Sequence, residues 1–171
     1  MGQQLLFCIE ADSKSKTDWV YIKATIERFY KLPNTVSVKP ICMGGKTNYK
    51  RNRVIKDIKN AVNGFKNSGN THVIYCIDTD NINLDPNRER EFKEITDYCA
   101  EKKYKLIWFC RDIEEVYLGK HSEQSAKIDA AKKFKSSDAI MACSEKALAC
   151  KQPSQKRSNI LTVLDDYLER I

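Results

Sequence analysis

Acidic side chains follow three separate apolar runs of the sequence. The run QLLFCIE ends at Glu10, and the run HVIYCID ends in the first of two acids that stand two residues apart, Asp78 and Asp80. A third run, KLIWFC, precedes Asp112, Glu114 and Glu115. Carboxylates that converge in one crevice repel one another unless protons or a cation intervene, and hard oxygen ligands favour Mg²⁺ or Mn²⁺. If the three runs are neighbouring strands, these acids predict a site for a divalent cation.

The spacing of Asp78 and Asp80 suits two ligands of one ion. Side chains alternate along a strand, so acids two residues apart point to the same side. The same pair also suits an Asx-turn or a helix cap at the exit of a strand. The presence of Glu10 at the end of another strand favours the cation.

Positive charge is concentrated in residues 39–66. This segment holds eight Lys and Arg residues and one acid, a local charge of +7 that equals the net charge of the whole chain. Such a cluster is typical of a surface that binds nucleic acid, although a solvated Lys-rich helix face has the same composition. The candidates for nucleic-acid binding are Lys46, Lys50, Arg51 and Arg53, with Tyr49 for base stacking and the amides of Gly44 and Gly45 for phosphate contact.

Four apolar runs alternate with helical patterns and must position these residues. Strands are predicted over 4–10, 36–42, 72–78 and 105–110, and Pro40 places the second at a sheet edge or shortens it. Helices are predicted over about 19–30, 49–65 and 85–103, then a short one ending near Leu118, a less regular helical region over 121–150 and a last amphipathic helix over 160–171. The alternation predicts a Rossmann-like α/β fold with a four-stranded parallel sheet, helices on both faces, extra C-terminal helices and a ligand crevice at the carboxyl ends of the strands.

The length of 171 residues suits one domain, with a core over about 4–120 and a helical extension over about 121–171. The seven cysteines are odd in number and lack the spacing of a zinc knuckle, so we expect reduced, structural thiols. The apolar runs are too short to cross a bilayer, and the N-terminus lacks the pattern of an export signal. We therefore expect a cytoplasmic protein with no membrane partner.

The order of these elements resembles the Toprim family. The likeness rests on a first strand that ends in Glu (LLFCIEADSKSKTDWVYI), a basic helix, a third strand that ends in Asp-x-Asp (VIYCIDTDN) and acids in the helix after the fourth strand. It covers residues 4 to about 120 and is greatest for small stand-alone members such as the RloB-like group. The resemblance implies a Toprim fold and a Mg²⁺- or Mn²⁺-dependent nuclease that acts on DNA or RNA, similar to the overcoming-lysogenization-defect nucleases. It also implies a setting in phage defence or a mobile element and, as in some related systems, an ATPase partner protein.

The family's roles carry over to individual positions. Glu10 matches the Toprim glutamate, which is a metal ligand or proton-transfer group, and Asp78 and Asp80 match the metal-binding pair. A further glutamate of nuclease-type members, which helps to hold a second metal, matches Glu114 or Glu115. We favour Glu114, because its apolar neighbours have the pattern of a packing face.

The implied chemistry is in-line attack of water on a phosphodiester, assisted by a divalent cation. Arg111 stands at a strand end beside the expected site and is the candidate catalytic residue that neutralises the phosphate in the transition state. Its alternative role is an ion pair with Asp112 or Glu115.

Two other functions stay open. The family's glutamate is usually followed by Gly but here by Ala11, which favours a catalytically inactive module that binds nucleic acid or a partner protein through the same fold. A receiver-like phosphoacceptor domain also carries acids at strand ends, with Glu10 and Asp12 as its acidic pair. That domain needs a fifth strand bearing a Lys, which the sequence lacks.

Overall fold

The computed structural model describes all 171 residues, which form one parallel sheet with helices on both of its faces. Neighbouring strands pair in the order β2, β1, β3, β4, and every pairing is parallel. The predicted Rossmann-like α/β fold with a four-stranded parallel sheet is therefore confirmed. The strands are β1 (Gly2–Ile9), β2 (Val36–Cys42), β3 (Gly69–Asp78) and β4 (Lys105–Phe109).

Seven α-helices and three short 3₁₀ turns connect and follow the strands. The α-helices are α1 (Thr17–Phe29), α2 (Asn52–Phe65), α3 (Pro86–Lys102), α4 (Ile113–Leu118), α5 (Lys127–Ser136), α6 (Glu145–Leu148) and α7 (Ile160–Leu164). The 3₁₀ turns are Lys46–Asn48, Gln124–Ala126 and Ala139–Ala142. None of the helices is long and apolar enough to cross a membrane.

Alternating side chains of β1 divide the core into two layers. Leu5, Phe7 and Ile9 belong to the larger layer, which α1, α4, α5 and α7 cover. Leu6 and Cys8 belong to the smaller layer, which α2 and α3 cover. Because both faces are buried, β1 is apolar from Leu5 to Ile9, as the central parts of parallel strands usually are.

The outer edge of β4 is covered by the segment that leads into α7. Ser158 Oγ donates to the carbonyl of Trp108 at 2.7 Å, and Asn159 Nδ2 donates to the carbonyl of Leu106 at 2.9 Å. These contacts satisfy an edge that would otherwise be open to another chain. The sheet ends there with four strands, so it lacks the fifth strand that the receiver-like hypothesis requires.

The C-terminal helix predicted over 160–171 is wrong beyond Leu164, where α7 ends. Arg170 instead forms an antiparallel bridge with Tyr30, and its guanidinium binds the carboxylate of Asp165. These long-range contacts outweigh the helical periodicity of the last residues.

Candidate active site

A cavity of about 250 Å³ opens at the carboxyl ends of β1 and β3. Its walls come from both strand ends, the residues that lead into α1, the loop after β2 and the start of α5. The lining residues include Glu10, Asp18, Gly44, Gly45, Asp78 and Lys127. The cavity lies where a doubly wound parallel sheet usually binds its ligand.

Glu10 and Asp78 are held together by backbone hydrogen bonds. The backbone N–H of Asp78 donates to Glu10 Oε1 at 2.7 Å, and the N–H of Ile113 donates to Asp78 Oδ1 at 3.0 Å. Burial raises the pKa of Glu10 from its ordinary 4.5 to about 8, although Lys46 and the Asp78 amide oppose the rise. Burial, and then the charge of Glu10, also raise the pKa of Asp78 well above its usual value. Two acids that the sequence separates by 68 positions are therefore one titrating unit.

The cavity contains a third acid that sequence reasoning missed. Asp18, in the first turn of α1, accepts a hydrogen bond from the N–H of Ala11 at 3.0 Å, and burial raises its pKa. Ala11 does not have a positive φ, so this position does not require glycine. The signal for Asp18 was its place beside the first apolar residue of α1, which also suits a routine helix N-terminus.

The structure separates the two glutamates of α4. Glu114 is fully buried, and neither of its carboxylate oxygens has a hydrogen-bond partner. Its charge contributes to the raised pKa of Asp78, which places it near the cavity. Glu115 lies near Arg111 instead, with 3.6 Å between Oε2 and Nε. This is the ion pair given above as the alternative role of Arg111, and Arg111 does not line the Glu10 cavity.

Lys127 supplies positive charge beside Glu114 and near Asp18 and Asp78. Its Nζ lies 3.4 Å from Glu114 Oε2. Desolvation would lower the pKa of Lys127, but Glu114, Asp78 and Asp18 together raise it. The residue belongs to the C-terminal helical region, and nothing in the sequence distinguishes it from the other lysines there.

Asp80 does not share the cavity with Asp78. β3 ends at Asp78, and Asp80 has a left-handed backbone conformation with φ of 53°. The alternation expected of a continuing strand therefore fails, and Asp80 lies 2.5 Å from the ammonium of Lys46. Lys46 also donates to the carbonyl of Asp78 at 3.0 Å and is only 8% exposed. The structure thus holds Lys46 inside the protein between the two aspartates.

The remaining basic candidates lie on the surface. Lys50, Arg51 and Arg53 are exposed, and Arg53 donates to the backbone carbonyls at the end of β2. Tyr49 is buried, so the expectation that it stacks on a base is wrong. The amide of Gly45 donates to the Glu10 carbonyl at 2.8 Å and is not free to bind a phosphate.

The donor chemistry around the cavity fits a divalent cation. Glu10, Asp18 and Asp78 line the cavity, and Glu114 lies near Asp78. The nearby cations are Lys46 and Lys127, so ionisation of all four acids would leave an excess of negative charge. Oxygen donors of this kind suit Mg²⁺ or Mn²⁺. No three of the His, Cys, Asp or Glu side chains are arranged to hold a metal ion together. Glu10 and Asp78 are the two acids that combine contact with the cavity and contact with each other.

Comparisons with protein-family models, with curated proteins and with solved structures find no match to this chain.

Proposed function

We propose that the chain is a Mg²⁺- or Mn²⁺-dependent phosphodiesterase of Toprim type that cleaves nucleic acid at the Glu10 and Asp78 cavity. The observation that carries the proposal is the convergence of buried carboxylates at the ends of two adjacent strands. Burial without full neutralisation is costly, and a divalent cation would offset that cost. The resemblance to Toprim sequences, which rests on the same Glu10 and Asp78, supports the same conclusion.

Each acid has a distinct part in this proposal. Glu10 and Asp78 would hold the cation at the cavity, Asp18 lines the same cavity, and Glu114 is fully buried outside its lining. A bound divalent cation supplies an activated water at neutral pH and offsets charge on the phosphate. The buried pKa shifts imply that Glu10 and Asp78 release protons when the cation binds, because carboxylates bind metals in the ionised form. Lys127 holds Glu114 in place and adds positive charge near the phosphate.

The exposed cations of α2 and the residues before it supply the nucleic-acid surface in this proposal. Lys50, Arg51 and Arg53 lie in the chain directly after the loop that lines the cavity. Contacts to phosphates by such residues release counterions, so binding weakens steeply as salt rises. Lys46 acts differently, because its ammonium is already bound between Asp78 and Asp80.

The direct test is cleavage of labelled DNA and tRNA with Mg²⁺, with Mn²⁺ and with a chelator. Asp78→Asn should abolish cation-dependent cleavage, since it removes the charge of a central acid. Asp97→Asn is the matched control, because Asp97 lies exposed on α3 far from the cavity in the fold. Cleavage that persists in Asp78→Asn would contradict the assignment of the site.

A second candidate function is nucleic-acid or partner binding without turnover. The observation that favours it is internal compensation of charge, since Lys127 already pairs with Glu114 and Lys46 with Asp80. This candidate predicts binding that a chelator leaves unchanged and that neutralisation of Lys50, Arg51 and Arg53 abolishes. The cytoplasmic location, the phage-defence setting and the ATPase partner rest on the resemblance and on composition alone.

A further inference from the structure

A second cavity is lined by residues that directly follow the end of β3, beginning at Asp80. Its volume is about 300 Å³, and Asp80 lines it whereas Asp78 lines the first cavity. The other walls come from the loop after β3, the start of α4 and Gln155. The lining residues include Asp80, Asn81, Leu84, Arg111, Glu115 and Gln155.

Glu115 presents an unsatisfied acceptor at this cavity. Its side chain is 6% exposed, and its Oε2 has no hydrogen-bond partner. The nearest cation, Arg111 Nε, is 3.6 Å away, which is too far for a hydrogen bond. Oε2 itself is shielded from solvent, so a ligand N–H donor would bind the Glu115 carboxylate through the part of the side chain that lines the cavity and offset part of the cost of its burial.

Arg111 is held at the rim by its own backbone. Both Arg111 and Asp80 have positive φ, at 61° and 53°, and the N–H of Asp80 donates to the Arg111 carbonyl at 2.8 Å. The N–H of Arg111 donates in turn to Thr79 Oγ1 at 2.9 Å. Left-handed residues other than glycine persist where their surroundings fix them. Two such residues, bonded to each other, therefore fix the backbone of Arg111 at the rim, and its half-exposed guanidinium lies 3.6 Å from Glu115.

The charges around this cavity disfavour a metal ion. Asp80 already contacts Lys46 and lies 3.5 Å from Arg88, and Glu115 faces Arg111. A divalent cation would have to displace these cations. A free anion is equally disfavoured, since it would meet the carboxylates of Asp80 and Glu115. A neutral ligand with both donors and acceptors suits the cavity better.

We propose that this second cavity binds an unpaired guanine base of the nucleic acid. Guanine carries adjacent N–H donors for the Glu115 carboxylate and, at O6 and N7, acceptors for the Arg111 guanidinium. Leu84, which is 82% exposed, offers an apolar surface to one face of the base, and the amides of Asn81 and Gln155 add polar contacts at the walls. Adenine, cytosine and uracil each lack part of this donor and acceptor set.

The inference rests on the proposed function, because it assigns a base site beside the cavity proposed for cleavage. Asp78 lines the first cavity and Asp80, two residues further along the chain, lines the second, so we expect a strand with its phosphate at the first cavity to place a nearby base in the second. Cleavage of single-stranded substrates should then occur at a fixed distance from a guanine.

The test measures binding of the four nucleoside 5′-monophosphates to the whole chain by titration calorimetry or NMR, in chelator so that cleavage plays no part. GMP should bind about tenfold or more tightly than AMP, CMP or UMP. Glu115→Gln should remove that preference, and Arg111→Gln, at an exposed side chain, should weaken GMP binding without unfolding risk to the core. Glu94→Gln, on the exposed part of α3, is the control and should retain the preference.

Equal binding of all four nucleotides would overturn the inference, as would a GMP preference that both variants retain. A preference for CMP would also overturn it, since cytosine can satisfy Glu115 but does not present the O6 and N7 pair. A GMP preference in a chain that cleaves no nucleic acid would contradict the proposed function and leave the base site standing.

Discussion

Replacement of Glu10 by Gln should make folding stability less sensitive to pH. Gln keeps a carbonyl oxygen that can accept the hydrogen bond from the Asp78 N–H, and it removes the charge that burial disfavours. The side chain thus resembles a glutamic acid that is protonated at every pH. The variant isolates the contribution of one ionisation to the free energy of unfolding.

The sign and size of this pH effect on the free energy of unfolding follow from the raised pKa of Glu10. Below pH 4.5 both the folded and the unfolded chain hold the proton, so Glu10 costs nothing. Between 4.5 and about 8 the folded protein keeps a proton that the unfolded chain releases, so stability falls as pH rises. A tenfold change in an ionisation constant is about 1.4 kcal/mol, which makes the full effect about 5 kcal/mol. Since the cavity opens to solvent, we expect ionisation of Glu10 to lower the free energy of unfolding by about 2–5 kcal/mol above pH 8.

The assay is urea unfolding of both chains between pH 5 and pH 9 in chelator. Their free energies of unfolding should differ by less than about 1 kcal/mol at pH 5, and Glu10→Gln should become the more stable by about 2–5 kcal/mol at pH 9. The control is Glu101→Gln, at a side chain that is 74% exposed, which should follow the wild type throughout. A constant difference between Glu10→Gln and wild type at all pH values would refute the argument that Glu10 is buried and protonated. Addition of Mg²⁺ should stabilise the wild type more at pH 9 than at pH 5, because the ionised acids bind it.

Three further substitutions test other parts of the fold and site. Gly69→Ala should destabilise the protein by several kcal/mol in urea unfolding, since its Cβ would lie 1.7 Å from a backbone oxygen of β1. Gly64→Ala is the control: its Cβ would meet open space, so it should be neutral or stabilising by up to about 1 kcal/mol. Ser158→Ala should cost about 1–3 kcal/mol in the same assay, because it leaves a buried carbonyl of β4 unpaired, and a loss below about 0.5 kcal/mol would contradict that role. Lys127→Met should lower the free energy of unfolding by about 3–5 kcal/mol at pH 8, because it leaves the Glu114 carboxylate without its cation. The loss should be smaller at lower pH, since burial raises the pKa of Glu114 and favours its protonated form. Lys127→Met combined with Glu114→Gln should recover most of the lost stability.

The sheet could be predicted because its strands follow simple physical patterns. Burial on both faces makes the central part of a parallel strand apolar, and residues 5–9 of β1 and 73–77 of β3 show this directly in the sequence. Parallel strands bring their carboxyl ends to one edge, so Glu10 and Asp78 were expected to lie close together without any knowledge of side-chain contacts. The hydrogen bond between Asp78 N–H and Glu10 Oε1 is the local detail that this placement allows.

The rest of the site depends on choices that residue spacing does not determine. Asp80 lies outside the first cavity because its backbone is left-handed. A two-residue spacing in the sequence cannot distinguish that conformation from a continuing strand. Asp18 and Lys127 belong to the site because α1 and the C-terminal helices pack together in one core layer. That packing joins residues that are far apart in the sequence. Glu114 and Glu115 are adjacent, and only the orientation of α4 decides which of them lies near Lys127.

One backbone feature accounts for the separation of the two cavities. If β3 continued as a strand to Asp80, its carboxylate would point to the same side as Asp78 and would add a fifth acid to the first cavity. The left-handed turn instead brings Asp80 to Lys46, and the bonded left-handed Arg111 carries its guanidinium to Glu115. Each additional acid is thereby matched with a cation of its own. Glu10, Asp18 and Asp78 line the first cavity without an ion pair of their own, and that is where we propose that the divalent cation binds.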